Sequence, residues 1–319
     1  MALQENIATF VDHYLTAKGD RPETLRWYRI RLKQFRCWVE KRENADIEDA
    51  GLLDAYVSFL YARGLKQSTV NGHIRALRAF YKYLVARDIV RHNAAGGLRQ
   101  KKDLGRVPRA ISLEARRLIL DTAYKSENRR DYALLLFLAD SGARAGEVCS
   151  MTLDALELDR LEAVVEGKRG QRVVVFSEAS CEATQEYIDW ERETDLARLI
   201  GLGLVEQGSE ASRRLWLGRQ GPLTYWGVRM LLRRVVDEAR NGLDSTLVED
   251  GPTNAHSFRH AFARDILQEG GSLTEVRDQL GHGDIQTSQM YSCWRVGERH
   301  QLHAAHSVVG REARRRAGM

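Results

Sequence analysis

Cysteine is scarce in this sequence, and its placement excludes two kinds of site. Cys37, Cys149, Cys181 and Cys293 are scattered, and no two of them have the C-x-x-C spacing of a zinc or redox site. We therefore expect neither a structural metal nor a disulfide framework. Such cysteine usage is typical of a reducing compartment, so we expect a cytoplasmic protein.

Long hydrophobic runs are also missing. The opening residues, MALQENIATF, lack the basic start and the apolar stretch of a signal peptide. The apolar run at residues 132–139 is far too short to cross a bilayer. There is no fixed-period repeat and no low-complexity tract apart from the arginine-rich residues 311–316. We therefore expect no membrane partner.

Positive charge, in contrast, is plentiful at the front of the chain. Residues 1–106 contain 20 Lys and Arg against 12 Asp and Glu, whereas residues 107–319 contain 29 against 32. At 319 residues the chain exceeds the size at which one hydrophobic core usually stops growing, so two domains are expected. The charge distribution favours a clamp for a polyanion attached to a chemical domain. A solvated basic surface would have the same composition.

The front domain, residues 1–95, is predicted to be helical. Its apolar residues recur at spacings of three and four from residue 6 to residue 95. The clearest helices cover residues 24–40, 52–63 and 68–86. Ser68 or Thr69 is expected to cap the last of these helices, because it follows the helix breaker Gly64. Residues 96–109, which are rich in glycine and charge, are predicted to form a linker.

Two stripes of polar and basic residues lie on the predicted front helices. The stripe on helix 68–86 lies opposite an apolar face and consists of Asn71, Arg75, Arg78 and Lys82. The stripe on helix 24–40 consists of Arg26, Arg29, Lys33 and Arg36. One face of each helix can pack into a bundle while the other donates hydrogen bonds to phosphates and base edges. A single stripe is more often a solvated face, but two stripes in the most basic stretch favour DNA.

The back half, residues 110–319, is predicted to be mainly helical with one small antiparallel sheet. Helices are expected at residues 113–126, 128–141, 145–152, 182–199, 225–239, 256–268 and 273–281. Two β-rich runs, 161–166 and 171–176, flank the turn Gly167-Lys168-Arg169-Gly170. This arrangement is a hairpin signal.

Six residues of the back half supply the groups needed for attack on a phosphodiester. They are Arg144, Lys168, His256, Arg259, His282 and Tyr291. The reaction requires a nucleophile, stabilisation of charge on the non-bridging oxygens, and a proton for the leaving oxygen. Arginine suits the second task because its planar fork pairs bidentately with phosphate and keeps its charge.

The predicted elements place these groups where they can act. Arg144 begins a helix, and Glu147, one turn on, can orient its guanidinium. His256 and Arg259 share one face at the start of a helix, which Asn254 or Thr253 can cap. His260 is expected to point elsewhere and to be structural.

The nucleophile and the proton donor come from the two remaining segments. His282 and Tyr291 would lie on opposite faces of one straight helix, but the break at Gly283-Asp284 lets the chain double back. A tyrosine needs nearby positive charge to be a good nucleophile, because its pKa is ordinarily near 10. Lys168, at a hairpin tip, can donate a proton to a departing 5′ oxygen. Each residue alone has an ordinary structural explanation, but together they favour phosphodiester cleavage without a metal ion or other cofactor.

In their order and spacing, these motifs resemble the tyrosine recombinase, or phage-type integrase, family, and most of all its Xer-like bacterial members. The resemblance covers nearly the whole chain, including residues 68–81 and the connector at residues 215–224. It implies a mainly α protein. An N-terminal four-helix, SAM-like core-binding domain would precede an α+β catalytic domain with a small antiparallel sheet.

The resemblance also implies a role for each residue. Tyr291 would attack the scissile phosphate and form a 3′-phosphotyrosyl link. Arg144 and Arg259 would hold the non-bridging oxygens, with a hydrogen bond added by His282. His256 would assist proton transfer, and Lys168 would protonate the leaving group. Three departures from the family pattern, at Ala145-Gly146, in the turn GKRGQR and at Arg264-Asp265, remove none of these groups.

Partners follow from the same resemblance. The family acts on double-stranded DNA recombination sites as a homo-tetramer that passes a C-terminal helix between subunits, for which residues 298–309 are the candidate. A related recombinase is a further candidate partner. Two other functions stay open: a type IB topoisomerase-like nicking enzyme, and a catalytically inert DNA-binding accessory factor. The sequence leaves open the target site and the choice among integration, excision and dimer resolution.

Overall fold

The structure is a computed structural model that describes residues 2–20, 22–43, 45–101, 110–167, 170–241 and 253–281. The chain divides into two compact units, Met1–Arg106 and Val107–Met319. Three of the predicted catalytic residues, Lys168, His282 and Tyr291, lie outside the described residues, as does the candidate exchange helix at 298–309. No helix in the described part of the chain is long and apolar enough to cross a membrane.

The first unit is a bundle of four helical segments. The first segment is α1 (Ala2–Ala8), which continues in π-helical turns over Thr9–Leu15. It is followed by α2 (Pro22–Val39), α3 (Ala50–Ala62) and α4 (Gln67–Ala86). A 3-10 turn at Ala94–Gly97 closes the unit. The predicted helices are thus confirmed to within two residues at each end.

Helix α4 supplies much of the core of this unit. Its apolar face is buried: Val70, Ile74, Leu77, Phe80 and Tyr81 are each at most 1% exposed. Apolar residues at helical spacing pack inward because burial removes their surface from water.

The predicted cap of α4 is wrong. The helix begins one residue earlier than Ser68, its cap is Lys66, and no side chain caps it. The backbone N–H groups of Thr69 and Val70 donate to the Lys66 carbonyl (2.8 and 3.1 Å), so the first turn closes on Lys66, ahead of Ser68.

The second unit is mainly helical in its described part. Its helices are α5 (Leu113–Lys125), α6 (Arg129–Ser141), α7 (Ala145–Ser150), α8 (Glu178–Tyr187), α9 (Glu193–Gly201), α10 (Glu210–Arg213), α11 (Tyr225–Arg240), α12 (Ala255–Gln268) and α13 (Leu273–Leu280). The single helix predicted over residues 182–199 is instead α8 and α9 joined by a π-helical turn, Ile188–Arg192. In that turn Arg192 is buried and donates hydrogen bonds to the carbonyls of Ser212 and Arg214.

The predicted hairpin is confirmed. Strands β2 (Glu162–Gly167) and β3 (Gly170–Val175) pair antiparallel, with Gly167 opposite Gly170, and β1 (Leu156–Glu157) adds to the β2 edge. The expectation of one sheet is wrong, because β4 (Leu217–Gly218) and β5 (Gly221–Pro222) form a second antiparallel pair. Two-residue strands carry no readable alternation, so periodicity could not find them.

Candidate active site

Arg259 joins two of the predicted motifs. It lies in the first turns of α12, is 1% exposed, and donates from Nη1 to the Gly142 carbonyl (2.6 Å) and from Nη2 to the Leu280 carbonyl (2.5 Å). A planar guanidinium can hold two acceptors at once because its donors point in fixed directions. Arg259 therefore connects the loop that follows α6 to the C-terminal end of α13.

That loop requires glycine at position 142. Gly142 ends α6 in the left-handed region (φ 60°), and a Cβ there would lie 2.4 Å from Phe262 Cδ1. A side chain would be strained by the backbone angle and would also collide with the ring. Gly142 therefore lets the chain turn closely against α12, two residues before Arg144.

Arg144 is held by Glu147, as the sequence predicts. Arg144 is the N-cap of α7, and its Nη1 donates to Glu147 Oε1 (2.7 Å) while its backbone N–H donates to Oε2 (2.8 Å). The Glu147 side chain is 3% exposed, whereas the Arg144 side chain is 45% exposed. The carboxylate thus fixes the guanidinium from the buried side and leaves it accessible to a ligand.

Arg172, which is not among the predicted site residues, is a second partner of Glu147. From β3 it donates Nη1 to Oε1 and Nη2 to Oε2 of Glu147, both at 2.8 Å. Its Nε donates to the Gln279 carbonyl near the end of α13 (3.4 Å). A signal was present: Arg172 shares the strand face of buried Val174, and a charge on such a face needs a buried partner.

The Glu147–Arg172 pair lies beside the residues that precede two of the predicted catalytic positions. Gly167 comes just before Lys168, and a Cβ on it would lie 2.7 Å from Glu147 Oε1. Gly281 comes just before His282, and a Cβ on it would lie 2.5 Å from Arg172 Cδ. One ion pair therefore contacts the hairpin end and the α13 end, both of which lead into predicted catalytic residues.

The pair also sets the charge of the site. Burial raises the pKa of Glu147, but hydrogen bonds from Arg172 and Arg144 outweigh it and bring the pKa down to about 2. Glu147 is therefore a carboxylate at any physiological pH. The Glu147 carboxylate neutralises only one of the two guanidiniums that it bonds, those of Arg144 and Arg172. A net positive charge therefore remains at the exposed Arg144.

His256 lies close to both predicted arginines. Its pKa is lowered by burial and further by the charges of Arg259 and Arg144, so its ring is neutral at neutral pH and can accept a proton. Asn254 caps this helix, as predicted, through bonds to the backbone N–H groups of His256 and Ser257. The structure thus brings together the three predicted catalytic residues that it describes.

The expectation that His260 points elsewhere is wrong. Its ring packs against the ring of His256, with centroids 4.2 Å apart, because residues four apart on a helix share a face. Burial, then the charges of His256 and Arg259, lower the pKa of His260 to about 4.

We expect this imidazole to make the second unit less stable in acid. Between pH 6.5 and pH 4 the unfolded chain protonates this histidine while the folded chain does not, so stability falls as the pH drops through that window. The loss from His260 is about 3 kcal/mol. His260→Asn should reduce the difference between the unfolding free energies measured in urea at pH 6.5 and at pH 4. An unchanged difference would contradict the shifted pKa.

The predicted DNA-contact residues lie in three settings. Arg26, Arg75, Arg78 and Lys82 are exposed. Asn71 accepts a hydrogen bond from Gln67 and donates one to the Lys101 carbonyl. Arg29 pairs with Asp12, and together with Lys33 and Arg36 it lines a cavity of about 260 Å³ beside the first helical segment. The assignment of these residues to DNA contacts stays a prediction.

A bound metal ion has no ready site in the described residues. Across residues 2–20, 22–43, 45–101, 110–167, 170–241 and 253–281, no group of three His, Cys, Asp or Glu side chains could hold one.

Comparison with known proteins identifies the class. A helical front unit and a second unit in which arginines, a histidine and a β-hairpin converge have the architecture of a DNA strand-transfer enzyme. Residues 112–295 match the model of the phage integrase family, and residues 7–88 match that of the phage integrase N-terminal SAM-like domain. The chain therefore belongs to the phage integrase family, the tyrosine recombinases, and is a site-specific recombinase that cleaves and rejoins DNA.

Individual relatives are similar to this chain over most of its length. The tyrosine recombinase XerC of Halalkalibacterium halodurans is 30% identical over 292 residues, which cover 90% of this chain and 91% of that protein. The Tn1549 transposon integrase in complex with transposon right end DNA has a TM-score of 0.67 at 16% identity, covering 93% of this chain and 99% of that one. XerH bound to its palindromic difH substrate has a TM-score of 0.65 at 20% identity, covering 89% of this chain and 79% of that one. At these identities the two structures show the shared fold.

Proposed function

We propose that the chain recombines DNA through a 3′-phosphotyrosyl intermediate formed by Tyr291, with neither metal nor ATP. The observation that carries this proposal is the convergence of Arg144, Arg259 and His256 around Gly142 and the end of α13. Two guanidiniums beside a neutral imidazole provide charge stabilisation and a proton acceptor in one place. The DNA-bound state of the XerH and Tn1549 integrase structures supports duplex recombination sites as the substrate.

The proposed steps balance without an external cofactor. The Tyr291 oxygen bonds to phosphorus as its proton passes to His256, and the bond from phosphorus to the 5′ oxygen breaks. Lys168 gives the departing oxygen a proton, while Arg144, Arg259 and His282 neutralise the charge on the non-bridging oxygens. The phosphotyrosyl ester conserves the energy of the broken bond, so a 5′ hydroxyl from a partner duplex can reverse the step.

The same proposal assigns the domains. Residues 1–95 are the core-binding domain, 96–109 the linker, and 110–319 the catalytic domain. The two compact units and the spans of the two family models support this division. The chemistry on DNA and the scattered cysteines support a cytoplasmic location.

A tetramer on two DNA sites is the proposed working form. A cavity of about 480 Å³ on the second unit has an apolar wall, which includes Phe176, Phe262 and Ile266, and carboxylates at Glu269 and Glu275. It is the candidate acceptor for residues 298–309 of a neighbouring subunit, which the basic residues 311–316 follow. Mass measurement of the complex on two duplexes tests the stoichiometry, and strand exchange by a complex with fewer than four subunits would contradict it.

The nucleophile is tested with nicked suicide substrates built from the DNA that flanks the gene. We expect the wild-type protein to form a covalent adduct in EDTA without ATP, and Tyr291→Phe to form none. Tyr225→Phe is the matched control, because this phenol is 63% exposed on the same unit and its loss should leave the adduct intact. An adduct with Tyr291→Phe would mean that another residue is the nucleophile. Relaxation of supercoiled DNA without site preference would indicate a topoisomerase instead.

A further inference from the structure

Two arginines from different helices converge on one indole in the first unit. Arg31 lies one turn after Trp27 on α2, with its guanidinium carbon 4.0 Å from the indole centroid and its Nη1 donating to the Trp27 carbonyl (3.2 Å). Arg75 approaches the same ring from α4, at 5.6 Å. The two cations are therefore held near each other by a shared aromatic surface.

No carboxylate balances these charges in the described part of the chain. Neither Arg31 nor Arg75 forms an ion pair there, and the Nε of Arg31 is buried with no hydrogen-bond partner among the described residues. Burial, and then the charge of Arg75, lower the pKa of Arg31. Two like charges held close together are unfavourable in the free protein, and an anion bound to their accessible donors would relieve the repulsion.

A glycine makes room for Arg31. Gly72 lies inside α4, and a Cβ at this position would lie 2.9 Å from Arg31 Nε and 3.3 Å from its Nη2. Glycine inside a helix costs about 0.5–1 kcal/mol relative to alanine, so the helix gives up stability at this point. The space gained is occupied by the guanidinium.

We propose that Arg31 and Arg75 together bind one phosphate of the DNA backbone. Trp27 would hold both guanidiniums against its ring, and Gly72 would leave the space that Arg31 occupies. This inference rests on the proposed function, in which the first unit binds DNA, and it adds Arg31, Trp27 and Gly72 to that surface. Arginine forks suit this task because phosphate oxygens accept two parallel hydrogen bonds from a guanidinium. Arg78 and Lys82 continue the exposed cations along α4 toward neighbouring phosphates.

The test measures how the full-length protein binds a short fluorescent duplex of arbitrary sequence at several salt concentrations. Arg31→Gln and Arg75→Gln should each weaken binding about fivefold to tenfold at moderate salt. Each should also reduce the slope of log affinity against log salt by at most about 1, because each removes one of the two cations that share the phosphate. Gly72→Ala should weaken binding similarly although it keeps every charge and favours the helix, because the added methyl displaces Arg31.

Arg42→Gln is the matched control. Arg42 also lies one turn after a tryptophan, 3.3 Å from the Trp38 centroid, and donates to its carbonyl (2.9 Å). It has neither a second arginine over that ring nor a glycine gap among the described residues. Its loss should change affinity less than twofold, an effect on the order of an ordinary surface charge.

The outcomes separate this site from the proposed chemistry. If Arg31→Gln binds the duplex as tightly as Arg42→Gln, or if Gly72→Ala binds it like the wild type, the proposed phosphate site is overturned. Arg42→Gln lies outside the proposed phosphate site and keeps Tyr291, so it should form the covalent adduct on suicide substrates as the wild type does. A wild type that forms no adduct but loses binding on Arg31→Gln would leave this inference standing while the proposed function fails.

Discussion

Replacing Arg259 with lysine is expected to slow DNA cleavage about 10³-fold, the scale of losing an electrostatic donor in a preorganised site. The buried guanidinium of Arg259 holds the carbonyls of Gly142 and Leu280 from two separate segments. A lysine ammonium is a point donor on a flexible stem and cannot reproduce this fixed fork. The Arg144 loop and the end of α13 would then lose their common connection. Single-turnover cleavage of a suicide substrate under saturating protein measures the effect.

Arg264→Lys is the control for this substitution. Arg264 lies on the same helix and also donates to a backbone carbonyl, that of Ile111 (2.9 Å). Both variants should lose stability, about 1–3 kcal/mol for a buried carbonyl left without its donor. Only Arg259→Lys should lose cleavage on the thousandfold scale. Equal cleavage by the two variants would show that Arg259 serves the fold alone.

The contrast between Arg259 and Arg172 shows which site residues a sequence can reveal. Arg259 was predicted because His256 and Arg259 are close in sequence and the helical period places them on one face. The hairpin was predicted for the same reason, since alternation and a glycine turn are local signals. Arg172 was missed because its partners, Glu147 and Gln279, are 25 and 107 residues away along the chain. Only the packing of β3 against α7 and α13 brings them together.

The DNA-contact stripes show the same limit. Helical spacing correctly gave the buried and exposed faces of α4, because burial follows the period of the helix. It could not show that Arg29 of the α2 stripe pairs with Asp12, nor that Arg31, outside that stripe, shares an indole with Arg75. Both arrangements depend on which helix packs beside α2.

The second large effect is expected at Arg172, which we infer to be a positioning residue. Arg172→Lys should slow cleavage about 10²-fold, the scale of an ångström-sized displacement of reacting groups. A lysine ammonium puts all its donors on one atom, so it cannot reproduce the fork that bonds both Glu147 oxygens while Nε reaches the Gln279 carbonyl. DNA affinity should stay unchanged, because the Arg172 side chain is largely buried and Arg144 keeps its charge. Weakened DNA binding with unaltered cleavage at saturation would contradict this role.

Arg214→Lys is the matched control, since Arg214 also joins a carboxylate, Glu210, to a backbone carbonyl, that of Ser150. Neither of these contacts involves the Glu147 carboxylate. The substitution should therefore reduce stability modestly and leave cleavage within a few-fold of wild type, as expected for an ion pair with one exposed partner.

A double substitution separates positioning from stability at this pair. Arg172→Gln or Glu147→Gln alone strands a buried charge and should cost about 3–5 kcal/mol. Removing both charges together should recover about 1–3 kcal/mol of the summed loss, because the neutral amides can still bond each other. Cleavage should not recover, because Arg144 has then lost the carboxylate that fixes it from the buried side. If cleavage returned along with stability, the pair would be a structural link only, and the orientation of Arg144 would have to come from other contacts.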